Sequence, residues 1–358
     1  MGRILVFLGL GLLLACGGEP SSDTQVPDTP SYIFEPIDSG TEQDVTTHRL
    51  CVDSGDPDQA PDPVYIDCMV ETWVNPDVLP SVNENPVVLT YNIERGHKLD
   101  DQIALFMAGD LAPVPDIILM SEADRGCSRT GYRHTALEYA KALGMHMVYA
   151  TEFVEISGSV NGDPSTYSAC EHGNAILSRY PLGNAGAMRH RENVSWYTPV
   201  DERGSGGFST RLGGRVTVFA DTKIQDSYMH LYSLHFSSDF GSSDVRASQA
   251  EEIVEHASDY QHPVLVAGDT NAFFYAADVS AGVQTDDVTG AFLTNGYTDA
   301  HSGLAYENRY TCEGQLDSQP IIDLIFGKSV EFTNSAICHD TLCRGLSDHY
   351  PVWTTIVW

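Results

Sequence analysis

Apolar runs in this chain repeatedly end on residues able to hold a metal ion or move a proton. Val87-Val-Leu-Thr-Tyr91 runs into Asn92, Ile117-Ile-Leu-Met-Ser121 into Glu122, and Leu234 into His235. Val264-Leu-Val-Ala-Gly268 leads to Asp269-Thr-Asn271, and Asp348-His349 stands before the last apolar run. Asp323 lies inside Ile321-Ile-Asp-Leu-Ile325, where a carboxylate needs a partner if it is to be buried. Singly, each has a plain structural role: a turn at Asp269-Thr-Asn271, a cap at Asp348, a core histidine at 235. Together they are the groups that phosphate-ester chemistry uses. Mg2+ takes oxygen ligands and keeps several waters, so one or two carboxylates suffice to hold it. Attack on phosphorus needs neutralised non-bridging oxygens, which a metal and an imidazolium supply.

The elements that must position these residues alternate short apolar runs with helical patterns. Strands are expected at 86–92, 116–122, 146–153, 174–178, 214–220, 229–235, 263–268, 321–326 and 351–357. Helical spacing marks 101–111, 134–143, where Gly144 stops the pattern, and 244–257. Polar residues at strand ends from distant segments gather only if the strands share one edge of packed sheets. There is no Walker-type phosphate loop and no GxSxG elbow.

Seven segments in order, from Leu89-Thr-Tyr-Asn92-Ile93 to Ser347-Asp348-His349-Tyr-Pro351, carry a resemblance. Between them come Met120-Ser-Glu122, Gly173-Asn-Ala-Ile-Leu-Ser178, Leu234-His235-Phe, Gly268-Asp269-Thr-Asn271 and Ile322-Asp323-Leu. The series resembles the endonuclease/exonuclease/phosphatase family over residues 86–358. The resemblance implies an α/β, deoxyribonuclease-I-like, four-layer sandwich of two packed mixed sheets flanked by helices. It implies Mg2+-dependent cleavage of phosphate esters, with Mn2+ as a substitute metal. Glu122 matches the principal metal ligand, with Asn92 and Asp348 at the metal site. Asp269 matches the carboxylate that orients or deprotonates the attacking water, and Asn271 places that water. His235 and His349 match histidines facing the phosphate, and Asp323 the carboxylate that orients His349. That pairing also gives Asp323 the partner its apolar surroundings demand.

A substrate-facing shell is expected from Arg125 and Arg129, which follow Glu122, and from His172 and Asn174. Arg211 and Arg215, flanking Gly213-Gly214, read as structural. The net charge of −31 opposes polyanions; from Asn85 onward 35 acidic residues still face 17 basic ones. Nucleic acid is therefore disfavoured as a substrate, and a smaller phosphate ester is favoured.

The N-terminus reads as an export signal. Arg3 is followed by an apolar run to Ala15 and then Cys16, too short for a membrane span. It resembles a bacterial lipoprotein signal peptide (residues 1–15), with Cys16 lipidated. Residues 16–47 carry acidic residues and prolines but, from Gly17 to Thr47, no basic residue, so an extended tether is expected. Residues 48–85 form an N-terminal extension and 86–358 the catalytic domain. An exported chain tends to oxidise its thiols. Cys51–Cys68, Cys127–Cys170 and a pairing of Cys312 with Cys338 or Cys343 are the expected bridges. The reading is of an extracytoplasmic, lipid-anchored, monomeric hydrolase of phosphate esters. Gly17, where an inner-membrane protein often carries Asp, points to the outer membrane or cell surface. The alternatives are a secreted endo- or exonuclease, or a non-catalytic binding module on the same fold.

Overall fold

Alternation along the strands decides how the layers form. In β2 (Val87–Arg95), Val88 faces one side while Leu89, Tyr91 and Ile93 face the other. In β3 (Ile117–Arg125), Ile117 and Leu119 share the face of Val88, and Ile118 and Met120 oppose it. Strands with apolar residues on both faces must be covered on both faces. One cover is a second sheet. The other is a pair of helices, α1 (Leu99–Ala108) and α2 (Thr135–Leu143), whose Leu105, Phe106, Leu137, Tyr139 and Leu143 pack with Leu89, Tyr91 and Met120.

The computed structural model describes residues 32–38, 70–109, 114–155, 170–191, 211–238, 243–275, 288–313 and 320–357. The remaining strands of the first sheet are β1 (Val70–Trp73), β4 (His146–Glu155) and β5 (Cys170–Ser178), with β7 (Arg211–Gly213), β13 (Glu331–Ile337) and β14 (Val352–Val357). Its order is β1-β4-β5-β3-β2-β14-β13, with β7 also paired to β4. The second sheet uses β6 (Leu182–Arg189), β8 (Val216–Ile224), β9 (Ser227–His235) and β10 (Val264–Tyr275), with β11 (Thr298–Asp299) and β12 (Pro320–Lys328). Its order is β11-β12-β10-β9-β8-β6. Both sheets are mixed: β2 runs parallel to β3 and β9 parallel to β10, while their other pairings are antiparallel.

Between the sheets lie Val88, Ile117, Leu119, Val148, Ile176, Val218, Leu231, Leu265 and Val352. Each such fully buried side chain contributes about 1.5–3 kcal/mol. Helices α3 (Ser243–His256) and α4 (Val288–Thr294) cover the outer face of the second sheet through Ala250, Ile253, Val288 and Phe292, against Tyr232, Leu234, Val266 and Phe326. The expected four layers are present. No helix among the described residues is long and apolar enough to cross a membrane.

The packed unit starts earlier than residue 86. Phe34–Trp358 forms one unit, and inside the stretch expected to be tether, Pro36 bridges Gly183 and the Ile37 N–H donates to the Leu182 carbonyl (3.0 Å). In the expected extension, β1 lies antiparallel on β4, Asn83 donates to Asp116 (2.9 Å), and the Tyr180 hydroxyl donates to the Asn83 carbonyl (2.8 Å). The physical reason is the open edge of β4, whose backbone groups need a partner strand. Cysteine pairing also differs from the expectation. Cys338 is bonded to Cys343, five residues on, and Cys312 is a free thiol pushed up to about 12 by burial. Cys127 is disulfide-bonded. Cys16, Cys51, Cys68 and the side chain of Cys170 lie outside the described residues.

Glu71 of β1 closes this edge electrostatically. It pairs with Arg125, which also pairs with the fully buried Glu171, and it lies 3.3 Å from His134. Burial alone would raise the Glu71 carboxyl, but His134 and Arg125 overturn that and hold it at about 2. A depressed carboxylate stabilises the fold above its unfolded pKa, and that stability is lost as pH falls through the folded value. Glu71→Gln should cost about 3 kcal/mol at pH 7. The gap should close between about pH 4.5 and pH 2, as read by urea denaturation across that range. Deletion of residues before 86 should destabilise the chain at least as much.

Candidate active site

Three adjacent strands set one wall of the site. Parallel register puts Asp269 beside His235, and antiparallel register puts it beside Asp323 on the other side. The close approach of β10 to β9 depends on Gly268, whose φ is +151°. A Cβ there would meet the Leu234 carbonyl oxygen at 2.0 Å. Regular pairing then ends. The ladder shifts after Asp269, after Asn92 and after Met120, and left-handed residues follow at Asn271 (φ 48°), Glu94 (48°), Arg95 (64°) and Glu122 (56°). Each costs about 1–3 kcal/mol and recurs where side chains are re-aimed. These breaks lie at the carboxyl ends of two parallel strand pairs, one in each sheet.

Asn92 joins the two walls. Its amide nitrogen donates to Glu122 Oε1 (3.2 Å) and to Asp269 Oδ2 (3.0 Å), and lies 3.4 Å from His349 Nε2. Its Oδ1 accepts from the Glu94 N–H (3.0 Å), so Asn92 presents a donor to the site. Asn92 thus clamps two carboxylates from opposite sheets at the expected metal site. Asp269 Oδ1 accepts from the Asn271 N–H (2.9 Å), and the Asn271 side chain donates to the Phe236 carbonyl (3.1 Å).

His349 Nδ1 lies 2.7 Å from Asp323 Oδ2, the pairing expected from sequence, and its Nε2 is 3.6 Å from Asp269. Thr311 fixes Asp323 by accepting both the Ile322 and Asp323 N–H groups (3.0 and 2.9 Å). Its carbonyl accepts from Tyr350 N–H (2.7 Å), seating His349. Burial would lower the His349 pKa, but the Asp323 and Asp269 carboxylates outweigh it and raise the imidazole well above its ordinary value. Glu122 behaves conversely. Burial would raise it, yet His172, His235 and Arg95 hold it far below the usual carboxylate range.

The expected substrate shell is partly dismantled. Arg125 is buried against Glu71 and Glu171, and Arg129 holds Asp124 through two hydrogen bonds (2.6 and 2.7 Å). Asn174 is fully buried and donates to the Val216 carbonyl (2.8 Å). None of the three is a free phosphate contact, because a buried guanidinium must spend its charge on the carboxylates beside it. His172 does enter the cleft, held by Asp124 at 3.0 Å, and its ligand atom clusters with those of Glu122 and His235 within 4.8 Å. Asp348 stands exposed at the rim, accepting weakly from Ser347 (3.4 Å) and facing Glu94, whose carboxyl is raised by burial and by Asp348.

Sequence reading missed the residues behind the front row. Glu152 lies 3.3 Å from His235 Nδ1 and is gripped by Arg215. Burial opposes its charge, but Arg215 and His235 keep it ionised, at about 2. Glu152 sits mid-strand with no motif around it. Arg95, the last residue of β2, was missed too; it forms no hydrogen bond or ion pair among the described residues, and its field reaches Glu122. Two carboxylates from opposite sheets, Glu122 and Asp269, converge on one amide with Asp348 at the rim. Oxygen donors gathered this way fit a divalent cation, and groups with metal-ligand geometry are present around Glu122 and around Asp269.

No curated protein matches the sequence. Among solved structures, an endonuclease/exonuclease/phosphatase from Beutenbergia cavernae is similar, with 14% identity, a TM-score of 0.54, and coverage of 76% of this chain and 72% of that one. A family protein from Leptotrichia buccalis shows 14% identity and a TM-score of 0.51 over 76% of this chain and all of that one. The human Nocturnin catalytic domain with bound sulfate shows 16% identity and a TM-score of 0.51 over 77% and 95% of the two chains. At these identities the likeness is one of fold. The family model named Endonuclease/Exonuclease/phosphatase family matches residues 89–349, from the strand that carries Asn92 to His349 itself, and the chain belongs to that family.

Proposed function

We propose that the protein is a divalent-metal-dependent hydrolase of small phosphate esters, working outside the cytoplasm on a lipid anchor at Cys16. The observation that carries the reading is the convergence of Glu122, Asp269 and the His349–Asp323 pair on the single amide of Asn92. Glu122 and Asp269, with Asp348 at the rim, would hold Mg2+, which supplies charge neutralisation at the phosphate and a more acidic water. The side chains do the rest. Asp269, fixed by Asn271 N–H and by Asn92, has its Oδ2 in the cleft as the proton acceptor for the attacking water. His349, kept protonated by Asp323, offers Nε2–H to a phosphate oxygen or the leaving group. Arg95 is the cation at the mouth that can meet a phosphate, since it pairs with no carboxylate among the described residues.

Basic side chains elsewhere explain the preference for a small ester over a polynucleotide. Arg125, Arg129, Arg133, Arg191, Arg215 and Arg309 are each paired with one or more carboxylates. Polyanion binding draws on unneutralised Lys and Arg along a stripe. With a net charge of −31 and these six arginines so committed, the described surface supports a ligand with one or two phosphates. The acidic N-terminal segment and the signal-like first residues support the exported, membrane-anchored reading and an outer-membrane or surface address.

Four outcomes test this. The full chain should hydrolyse a chromogenic phosphodiester or monoester with Mg2+ and lose that turnover in EDTA. Asp269→Asn should reduce kcat about 10²- to 10⁴-fold while circular dichroism stays unchanged; silence of the wild type on diester, monoester and plasmid DNA would leave a binding module as the better reading. Asp323→Asn removes the charge that raises His349, so the alkaline limb of the rate profile should move to lower pH. Arg95→Gln should raise KM at least ~10-fold, with a smaller change in kcat.

A further inference from the structure

The buried face of α1 is made by Leu99, Gln102, Leu105 and Phe106, three apolar side chains and one amide. Gln102 is fully buried, and a buried amide is costly unless its groups are paired. Here both ends are paired. Its Nε2 donates to the Ile93 carbonyl (3.1 Å) and to the Leu346 carbonyl (2.7 Å), and its Oε1 accepts from the Tyr139 hydroxyl (3.0 Å). Carbonyls can only accept, so these partners decide which way the amide is turned. The two carbonyls belong to the segments that carry the site. Ile93 stands between Asn92 and the left-handed Glu94 and Arg95, and Leu346 closely precedes Asp348 and His349.

Backbone pairing does not reach this far. The ladder between β2 and β14 ends at Thr90 and Val352, and the next residue toward the site, Pro351, has no N–H to extend it. Beyond that point side chains take over. Ser347 Oγ donates to the Asn92 carbonyl (2.7 Å), and Gln102 joins Ile93 to Leu346, one residue further along each segment. We propose that Gln102 is a positioning residue of the active site, whose amide sets the spacing between residues 92–95 and residues 346–349. The first segment carries the carboxylate clamp and Arg95, the second Asp348 and His349. Gln102 touches no reacting atom and acts through the backbone of Ile93 and Leu346. An apolar side chain of the same length would fill its place on α1, and the Ile93 carbonyl would keep the Gly96 N–H (2.9 Å). What would be lost is the tie between the segments. Displacements of about 1 Å are enough to cost a reaction most of its rate, so a helix residue outside the cleft governs turnover. The effect on rate rests on the hydrolase reading; the effect on spacing does not.

Gln102→Met keeps the length of the side chain and removes the amide. In the full chain, on a chromogenic phosphate ester with Mg2+, it should lower kcat about 10- to 100-fold and leave KM within about 3-fold. Hydrogen exchange read by mass spectrometry should show residues 344–350 opening roughly 10-fold more readily, with β8, β9 and β10 as protected as in the wild type. Tyr139→Phe keeps the ring beside Phe106 and removes the hydroxyl that steadies Gln102 Oε1. It should reproduce both changes on a smaller scale, about 3-fold, and it carries the test if Gln102→Met does not fold. Unchanged kcat and exchange in the folded variant, or exchange accelerated equally throughout both sheets, would overturn the positioning role. A wild type silent on every ester would sink the hydrolase reading, while faster exchange confined to residues 344–350 would still uphold the role of Gln102.

Discussion

One amide holds the two halves of this molecule at a working distance. Asn92 is the last inward-facing residue of its strand before the ladder breaks, and it donates at once to Glu122 of its own sheet and to Asp269 of the other. Two carboxylates pointed at each other repel, and the interior screens that repulsion poorly. The shared donor offsets part of that repulsion. Everything nearer solvent, from His349 to the rim carboxylate Asp348, takes its position from strands whose separation this contact fixes. Ser347 reinforces it by donating to the Asn92 carbonyl (2.7 Å) and accepting from the His349 N–H (3.1 Å).

Around that contact the protein buries an unusual number of charges, and it does so in pairs. Glu152 with Arg215, Asp124 with Arg129, Glu171 and Glu71 with Arg125, and Asp323 with His349 each couple a carboxylate to a cation in the interior. Buried pairs of this kind are poor sources of net stability. Their effect is directional: Arg–carboxylate forks and backed imidazoles allow few orientations. The cleft is thereby stiffened by the same groups that set its electrostatics.

How much of this the sequence disclosed follows from what strand alternation reveals. A polar residue ending or interrupting an apolar run is visible without a structure, so Asn92, Glu122, His235, Asp269 and Asp323 could be picked out, and their order carried the resemblance that gave the fold. Glu152 and Asp124 could not, because a carboxylate in the middle of a strand looks like any solvent-facing residue until the opposite strand is known. Arg125 and Arg129 misled for the related reason that neighbours of Glu122 in sequence are turned away from it by the pleat and by the break at Glu122 itself. The four-residue strand Val70–Trp73 carries too little pattern to stand out; it exists because the edge of β4 is there to receive it.

Gly268 has no functional group, yet its absent side chain lets β10 lie against the Leu234 carbonyl and keep Asp269 level with His235. In the mutational landscape of this protein, then, intolerance and chemistry are separate maps. A survey of substitutions that ranks positions by lost turnover would score Gly268 beside the proton-handling residues. Only its indifference to which side chain is introduced, large or small, polar or apolar, would reveal that the loss is one of spacing.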